Sequence, residues 1–142
     1  DTAEILRPVN FGEDAPGRGF SILDCNGYRI LVINALGRVH MDPMLDSPFT
    51  HIDKVLRTCE GKYDFAILDF HAEATSEKRA LGLYLDGKVS VVYGTHTHIQ
   101  TADNMILKNG TGYITDLGMT GVEQSVLGVK KFDRIVYPFR GR

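Results

Sequence analysis

Three histidines in this sequence lie at two points where predicted strands end. His71 closes the triplet Asp69-Phe70-His71, and His96 and His98 belong to the run Gly94-Thr95-His96-Thr97-His98. Neutral imidazole binds Zn, Fe, Mn and similar ions. His96 and His98 are two residues apart, so on an extended segment both side chains leave the same face and can bind one ion or two adjacent ions. These residue types and this spacing indicate a metal site.

The elements that would position these histidines form a strand, helix, strand unit. Tyr63 to Phe70 and Lys88 to Tyr93 are short apolar runs with the composition of buried strands. Between them, Thr75 to Asp86 is a helix-like segment that ends at Gly87. Such a unit places its strands parallel, so both end on the sheet edge where α/β proteins bind ligands. A single buried histidine needs no ligand, but three that converge at this edge favour a metal.

Polar side chains near the histidines are candidates for holding the second ring nitrogen of each imidazole, as the neighbours of metal-bound histidines usually do. Thr95, Thr97 and Asp116 are such candidates. Asp69 lies two residues before His71 and shares its face of the strand. Three roles are open to Asp69: a metal ligand, an acceptor for a ligand histidine, which we favour, or a strand-end carboxylate with a structural partner.

Turn and helix signals organise the rest of the chain. Arg18 lies in a glycine- and proline-rich loop, where it either faces an anion or is simply solvated. His40 and His51 are isolated and fit surface positions. Ser47-Pro48 predicts the start of a helix that closes at Gly61, with the serine hydroxyl as its cap, and Thr75 or Ser76 is expected to cap the second helix. Asn-Gly dipeptides predict two hairpins, one joining Phe20–Asp24 to Tyr28–Ala35 and one joining Ala102–Leu107 to Thr111–Asp116.

The composition is that of an ordinary globular domain. The chain has 142 residues, 43% of them hydrophobic, with 16 Lys and Arg against 18 Asp and Glu. This balance gives no strong nucleic-acid signature, although the tail from Lys130 to Arg142 is basic. No apolar run reaches membrane-spanning length, so we expect a cytoplasmic protein without a membrane partner. Cys25 and Cys59 lack metal-type spacing and fit buried free thiols.

Longer blocks of this sequence resemble a known family, the YmdB-like branch of the calcineurin-like metallophosphoesterases. The resemblance is most specific around the histidines and extends from the start of the chain to about Gly128. The blocks that carry it are Arg7–Phe11, Gly17–Phe20, Gly37–Val39, Asp69–Lys78, Leu85–Ser90, Gly94–Asp103 and Tyr113–Gly121.

The resemblance implies an α/β fold, a β-sandwich flanked by helices, that hydrolyses phosphodiesters, including cyclic nucleotides, through a dinuclear metal centre. His71, His96 and His98 match the histidine ligands of the family. The cofactors would be two divalent or mixed-valence transition metal ions, Fe, Mn or Zn. Arg18 and Glu73 are weaker candidates for contacts with the substrate or with the ligands, as is Thr97. The family also suggests a homo-oligomer.

Other parts of that centre are expected from outside this sequence. The resemblance implies a bridging carboxylate, an aspartate ligand and an Asn-His pair whose histidine acts as general acid, and residues 1–35 supply none of them. The chain begins with Asp1 rather than Met and ends at Arg142 soon after an apolar run. We therefore expect residues 1–142 to be the C-terminal portion of one metallophosphoesterase domain, with the N-terminal half as its partner.

Two other functions remain open. One is a regulatory module that binds protein or RNA and retains a remnant of the metal site. The other is a mononuclear hydrolase built on the three histidines alone, because three protein ligands leave an open position on one ion. Metal binding with turnover would distinguish an enzyme from the binding module.

Overall fold

A computed structural model of the chain describes residues 5–12, 14–42, 45–122 and 124–129, so the basic tail lies outside the described residues. In these ranges the chain forms one six-stranded mixed sheet, in the strand order β1-β2-β3-β4-β6-β5, and two helices. The strands are β1 (Phe20–Cys25), β2 (Tyr28–Leu36), β3 (Phe65–His71), β4 (Val91–Thr95), β5 (Met105–Ile106) and β6 (Gly112–Ile114). The helices are α1 (Pro48–Thr58) and α2 (Thr75–Tyr84).

The first hairpin forms where the sequence predicts it. β1 pairs antiparallel with β2, with Cys25 opposite Tyr28. Asn26 and Gly27 have φ angles of 54° and 88°, the positive values that a type I′ turn requires at both central positions. The second hairpin also forms, as the shorter antiparallel pair of β5 and β6. Both hairpin predictions are confirmed.

The strand, helix, strand unit is confirmed as well, with parallel strands that end level with each other. β3 pairs parallel with β4, and the last residue of β3, His71, lies opposite the last residue of β4, Thr95. β2 pairs parallel with β3 on the other side, with Leu36 opposite His71. Three strands therefore end at one edge of the sheet, as α/β topology predicts.

Both helices cover the same face of the sheet. Successive right-handed crossovers that move in one direction across a sheet place their helices on one side. The buried residues confirm this arrangement, because alternate strand residues and the inner stripes of both helices form one core. That core includes Leu31, Ile33, Ala66, Leu68, Phe70 and Val92 from the strands and Ile52, Val55 and Leu81 from the helices.

The opposite face, which we call the open face, carries the other alternate residues. No helix covers it in the part of the chain that the structure describes. Phe65 at one end of β3 is 45% exposed, and Asp69 and His71 follow on the same face. The α/β class is confirmed, whereas the second sheet of a β-sandwich stays a prediction.

The start of the first helix is predicted correctly, but neither predicted side-chain cap forms. Ser47 is the N-cap residue of α1 and Pro48 its first residue, yet the Ser47 hydroxyl caps no backbone N–H; its carbonyl oxygen instead accepts a hydrogen bond from the Thr50 hydroxyl at 3.0 Å. Thr75 and Ser76 lie inside the first turn of α2, so the N-cap is Ala74. Neither helix has the length and apolar composition needed to cross a membrane.

The prediction of two buried thiols is half right. Both cysteines are free, and Cys59 is buried beside the core, but Cys25 is exposed. The difference follows from the hairpin, because Cys25 is the last residue of β1, next to the turn, where alternation turns it toward the open face.

Candidate metal centre

Two of the three histidines meet at the edge where β3 and β4 end. His71 is the last residue of β3, and His96 directly follows β4. The Nε2 atom of His71 lies 3.0 Å from the Nδ1 atom of His96, and the ring planes are nearly perpendicular, at 84°. The sheet topology thus brings together two side chains that are 25 residues apart in the sequence.

In each imidazole, the ring nitrogen that does not contact the other histidine lies close to a polar side chain. The Nδ1 atom of His71 lies 2.9 Å from the Thr95 hydroxyl, which donates a hydrogen bond to Asp69 Oδ1 at 3.3 Å. The Nε2 atom of His96 lies 3.1 Å from Glu73 Oε2. Thr95, Asp69 and Glu73 therefore have the positions of side chains that orient histidine ligands.

These outer partners determine where the ring protons lie. An ionised carboxylate only accepts hydrogen bonds, so Asp69 makes Thr95 the donor to it, and the Thr95 oxygen then accepts from His71 Nδ1–H. Glu73 similarly accepts from His96 Nε2–H. The two remaining ring nitrogens, His71 Nε2 and His96 Nδ1, lie 3.0 Å apart, where one can donate a proton to the other or both can turn their lone pairs toward one cation.

Two facing lone pairs repel each other unless a proton or a cation lies between them. Two nitrogens bound to one tetrahedral metal ion at about 2.0–2.1 Å are about 3.3 Å apart. The 3.0 Å separation of the two imidazole nitrogens is close to this value. The donor set therefore fits a metal ion that His71 and His96 would share.

The surroundings of His71 favour its neutral form. Burial lowers the pKa of His71, and the neighbouring His96 lowers it further. Burial also raises the pKa of Asp69, although the hydrogen bond from Thr95 opposes this. A neutral imidazole is the form that binds a metal ion.

His98 does not join the pair. Its side chain is exposed, and within the described ranges no group of three or more His, Cys, Asp or Glu side chains is arranged to hold a metal ion. The φ angles of His96 and His98 are 112° and 67°, so the backbone leaves the extended conformation at His96. The same-face rule for residues two apart holds only for extended backbone, and the expected convergence of all three histidines is absent.

Thr97 and Asp116 contact each other rather than an imidazole. Asp116 is fully buried, and its Oδ2 atom accepts hydrogen bonds from the backbone N–H of Thr97 at 3.0 Å, from the Thr97 hydroxyl at 2.8 Å and from Lys78 Nζ at 2.9 Å. Burial by itself would raise the pKa of Asp116, but the hydrogen bonds from Lys78, Gly118 and Thr97 outweigh it and lower the pKa to about 2. Asp116 is therefore ionised at neutral pH.

Lys78 is a site residue that the sequence reasoning missed. It is 1% exposed and makes a buried ion pair with Asp116. A sequence signal for it exists, because Lys78 lies on the same helical stripe as Leu81 and Leu85, at spacings of three and four. A lysine on an apolar stripe needs a buried partner.

Arg18 lies apart from the histidines. It is exposed and lines a cavity of about 290 Å³ between β1 and α1, together with Arg7, Phe11, Phe20 and other residues. None of the histidine-pair residues, His71, His96, Glu73 and Asp69, lines that cavity. The structure therefore brings Asp69, Glu73 and Thr95 to the histidines but leaves Arg18 at a different place.

Comparisons with known proteins identify the family to which this chain is similar. Residues 1–140 match the sequence profile of a family described as YmdB-like protein, so the match extends beyond the expected limit near Gly128. A 2′,3′-cyclic-nucleotide 2′-phosphodiesterase of Bacillus subtilis (strain 168) is 49% identical over 131 residues, which cover 92% of this chain and 49% of that protein.

Two solved structures are similar in fold and in sequence. A hypothetical protein from Thermus thermophilus has a TM-score of 0.81 and 47% identity over 88% of this chain and 48% of that chain. A novel phosphatase from Mycoplasma pneumoniae has a TM-score of 0.74 and 36% identity over 82% of this chain and 42% of that chain. The chain spans about half the length of the relatives it matches.

Proposed function

Because this chain belongs to the YmdB-like protein family, we propose that it forms part of a metal-dependent phosphodiesterase whose substrates include cyclic nucleotides. The observation that carries the proposal is the close approach of His71 Nε2 and His96 Nδ1, 3.0 Å apart at the sheet edge where three parallel strands end. The similarity to a 2′,3′-cyclic-nucleotide phosphodiesterase supports the substrate class.

The proposed metal ligands are His71, His96 and His98, and the proposed cofactors are two transition metal ions, Fe, Mn or Zn. Such ions polarise a phosphoryl oxygen and lower the pKa of a bound water so that it can attack phosphorus. In this chain Asp69, through Thr95, holds the ring of His71, and Glu73 holds the ring of His96. These contacts fix which nitrogen of each ring faces the site. His98 stays a proposed ligand because it follows His96 in the same loop.

We further propose that residues 1–142 are the C-terminal portion of a single larger domain. The open face supports this proposal, since it carries Phe65, Val91 and Ile106 with exposed fractions of 45%, 36% and 74%. An apolar sheet face of this kind is usually covered by a second layer. The N-terminal half would supply that layer together with the remaining metal ligands and the general acid. It would pack against the open face, on which His71 lies.

The test is metal content together with turnover in the full-length protein. We expect elemental analysis to find two transition metal ions per chain and the protein to hydrolyse a 2′,3′-cyclic nucleotide. His71→Ala, His96→Ala and His98→Ala should each lower metal content and reduce kcat by at least about 100-fold, a range typical for the loss of groups that stabilise the transition state.

A matched control is His51→Ala. His51 lies on α1, where its Nδ1 atom is 3.1 Å from the Ser47 carbonyl oxygen and its Nε2 atom is 3.9 Å from Asp46 Oδ2, so its ring contacts helix α1 and the residue before Ser47 rather than the histidine pair. We expect this variant to keep its metal and its activity. A full-length protein that binds no metal and hydrolyses no phosphodiester would contradict the proposal and would favour the protein- or RNA-binding module.

A further inference from the structure

We propose that the buried ion pair of Lys78 and Asp116 positions the histidine loop, His96–His98, by holding Thr97 between the two histidines. This inference rests on the proposed metal site and names residues that act on it without touching the ion. In this role Lys78, Asp116 and Thr97 are positioning residues.

The contacts of Thr97 carry the argument. Both its backbone N–H and its hydroxyl donate to Asp116 Oδ2, at 3.0 and 2.8 Å. The other carboxylate oxygen, Oδ1, accepts from the backbone N–H of Gly118 at 2.9 Å, which fixes the carboxylate plane relative to the chain that follows β6. One buried side chain thus binds the middle of the histidine loop at two points.

The backbone conformation of the histidine loop needs contacts from outside the loop to stabilise it. His96 and His98 have φ angles of 112° and 67°, in a region that is sterically unfavourable for residues other than glycine. Backbone of this kind persists only where the surroundings enforce it. Because Thr97 is the residue between the two, its bonds to Asp116 restrain both histidines.

Lys78 makes it possible for the buried Asp116 side chain to restrain Thr97. Asp116 is 0% exposed and Lys78 is 1% exposed, so water solvates neither charge. A buried carboxylate without a cation is strongly unfavourable and tends to take up a proton. The Lys78 ammonium, 2.9 Å away, keeps Asp116 ionised and therefore able to accept from both donors of Thr97.

Gly94 gives the lysine room to reach this position. A Cβ atom on Gly94 would lie 3.0 Å from Lys78 Cδ and 1.8 Å from the carbonyl oxygen of Thr115. The absence of a side chain at Gly94 therefore allows α2, the end of β4 and the chain after β6 to meet closely. The ion pair forms at that meeting point, next to the histidine loop.

The experiment is a titration of the metal-free full-length protein with Co²⁺, whose visible absorption spectrum reports the ligands around the ion. Thr97→Val removes the hydroxyl and keeps the shape of the side chain, and we expect it to weaken Co²⁺ binding by about 10-fold or more, as loss of outer partners typically does. Thr97→Ser restores the hydroxyl and should bind within about 3-fold of the parent protein, a difference smaller than that caused by losing an outer partner.

Thr111→Val is the matched control. Thr111 is fully buried, and like Thr97 it uses its hydroxyl in hydrogen bonds: the hydroxyl donates to the Val89 carbonyl oxygen at 2.7 Å and accepts from the Gly87 N–H at 2.9 Å, at the opposite end of the sheet. This variant should lose thermal stability but keep the affinity and the spectrum of bound Co²⁺. If it weakens Co²⁺ binding as much as Thr97→Val does, the effect is general destabilisation and the inference is wrong.

Lys78→Met tests the cation itself. We expect it to weaken Co²⁺ binding, as Thr97→Val does; should it fail to fold, the Thr97 pair of variants decides the question. Parent-like affinity and spectrum in Thr97→Val would overturn the inference while leaving the metal site intact. If the parent protein binds no Co²⁺, or if His71→Ala and His96→Ala bind it unchanged, the proposed function itself fails.

Discussion

The Lys78–Asp116 ion pair predicts a specific pH dependence of stability. The pKa of Asp116 is lowered from 3.8 to about 2 in the folded protein. At about 1.4 kcal/mol per pKa unit, this difference corresponds to about 2.5 kcal/mol of folding free energy. Because the folded-state pKa is the lower one, this stability is present above about pH 4 and is lost as the pH falls toward about 2.

The perturbation that isolates this contribution is Asp116→Asn. The substitution removes the charge that titrates and leaves Lys78 buried without its partner, which costs about 3–5 kcal/mol near neutral pH. In the parent protein at low pH, protonation of Asp116 likewise leaves Lys78 buried without a charged partner. The difference in unfolding free energy between parent and variant should therefore be largest at about pH 7 and should shrink by about 2 kcal/mol at about pH 2.

Urea unfolding followed by circular dichroism, at a series of pH values, measures this difference. Some acid dependence should remain in the variant, because Asp103 also has a lowered pKa: hydrogen bonds from Thr101 and Thr115 outweigh the effect of burial there. The subtraction of the two curves removes that shared contribution. If the curves run parallel from neutral to acid pH, Asp116 does not titrate with a lowered pKa and the reasoning is refuted.

Two further substitutions test the packing of the sheet. Gly94→Ala should destabilise the protein by about 1–3 kcal/mol or more, since its Cβ would lie 1.8 Å from the Thr115 carbonyl oxygen. Gly112→Ala meets no atom closer than 3.6 Å and should cost about 1 kcal/mol or less. Equal midpoints of thermal unfolding for these two variants would contradict this prediction. In residues 1–142 without the proposed N-terminal half, Phe70→Ala should cost about 3–5 kcal/mol, because Phe70 is fully buried in the core, whereas Phe65→Ala on the open face, 45% exposed, should cost clearly less. Equal losses for the two phenylalanines in urea unfolding would mean that the open face is as well packed as the core.

Local signals in the sequence were sufficient to predict the strands and turns that position the site. The Asn26-Gly27 turn and the two apolar runs around residues 75–86 predict the hairpin and the parallel strands because turn geometry and hydrophobic periodicity act over a few residues. Parallel pairing then places His71 and His96 at one edge, as the structure confirms. The position of Asp69 on the face of His71 follows from strand alternation in the same way.

The remaining features depend on contacts between distant segments. His98 leaves the pair because the backbone turns at His96, and no local pattern predicts a positive φ at a histidine. Lys78 and Asp116 are 38 residues apart, and only the packing of α2 against the chain that follows β6 shows that they form a buried ion pair. The sequence by itself determined the sheet edge and the residue types that gather there, because periodicity and turns are local. The tertiary structure decided which of those residues touch, because burial and close approach are properties of the assembled fold.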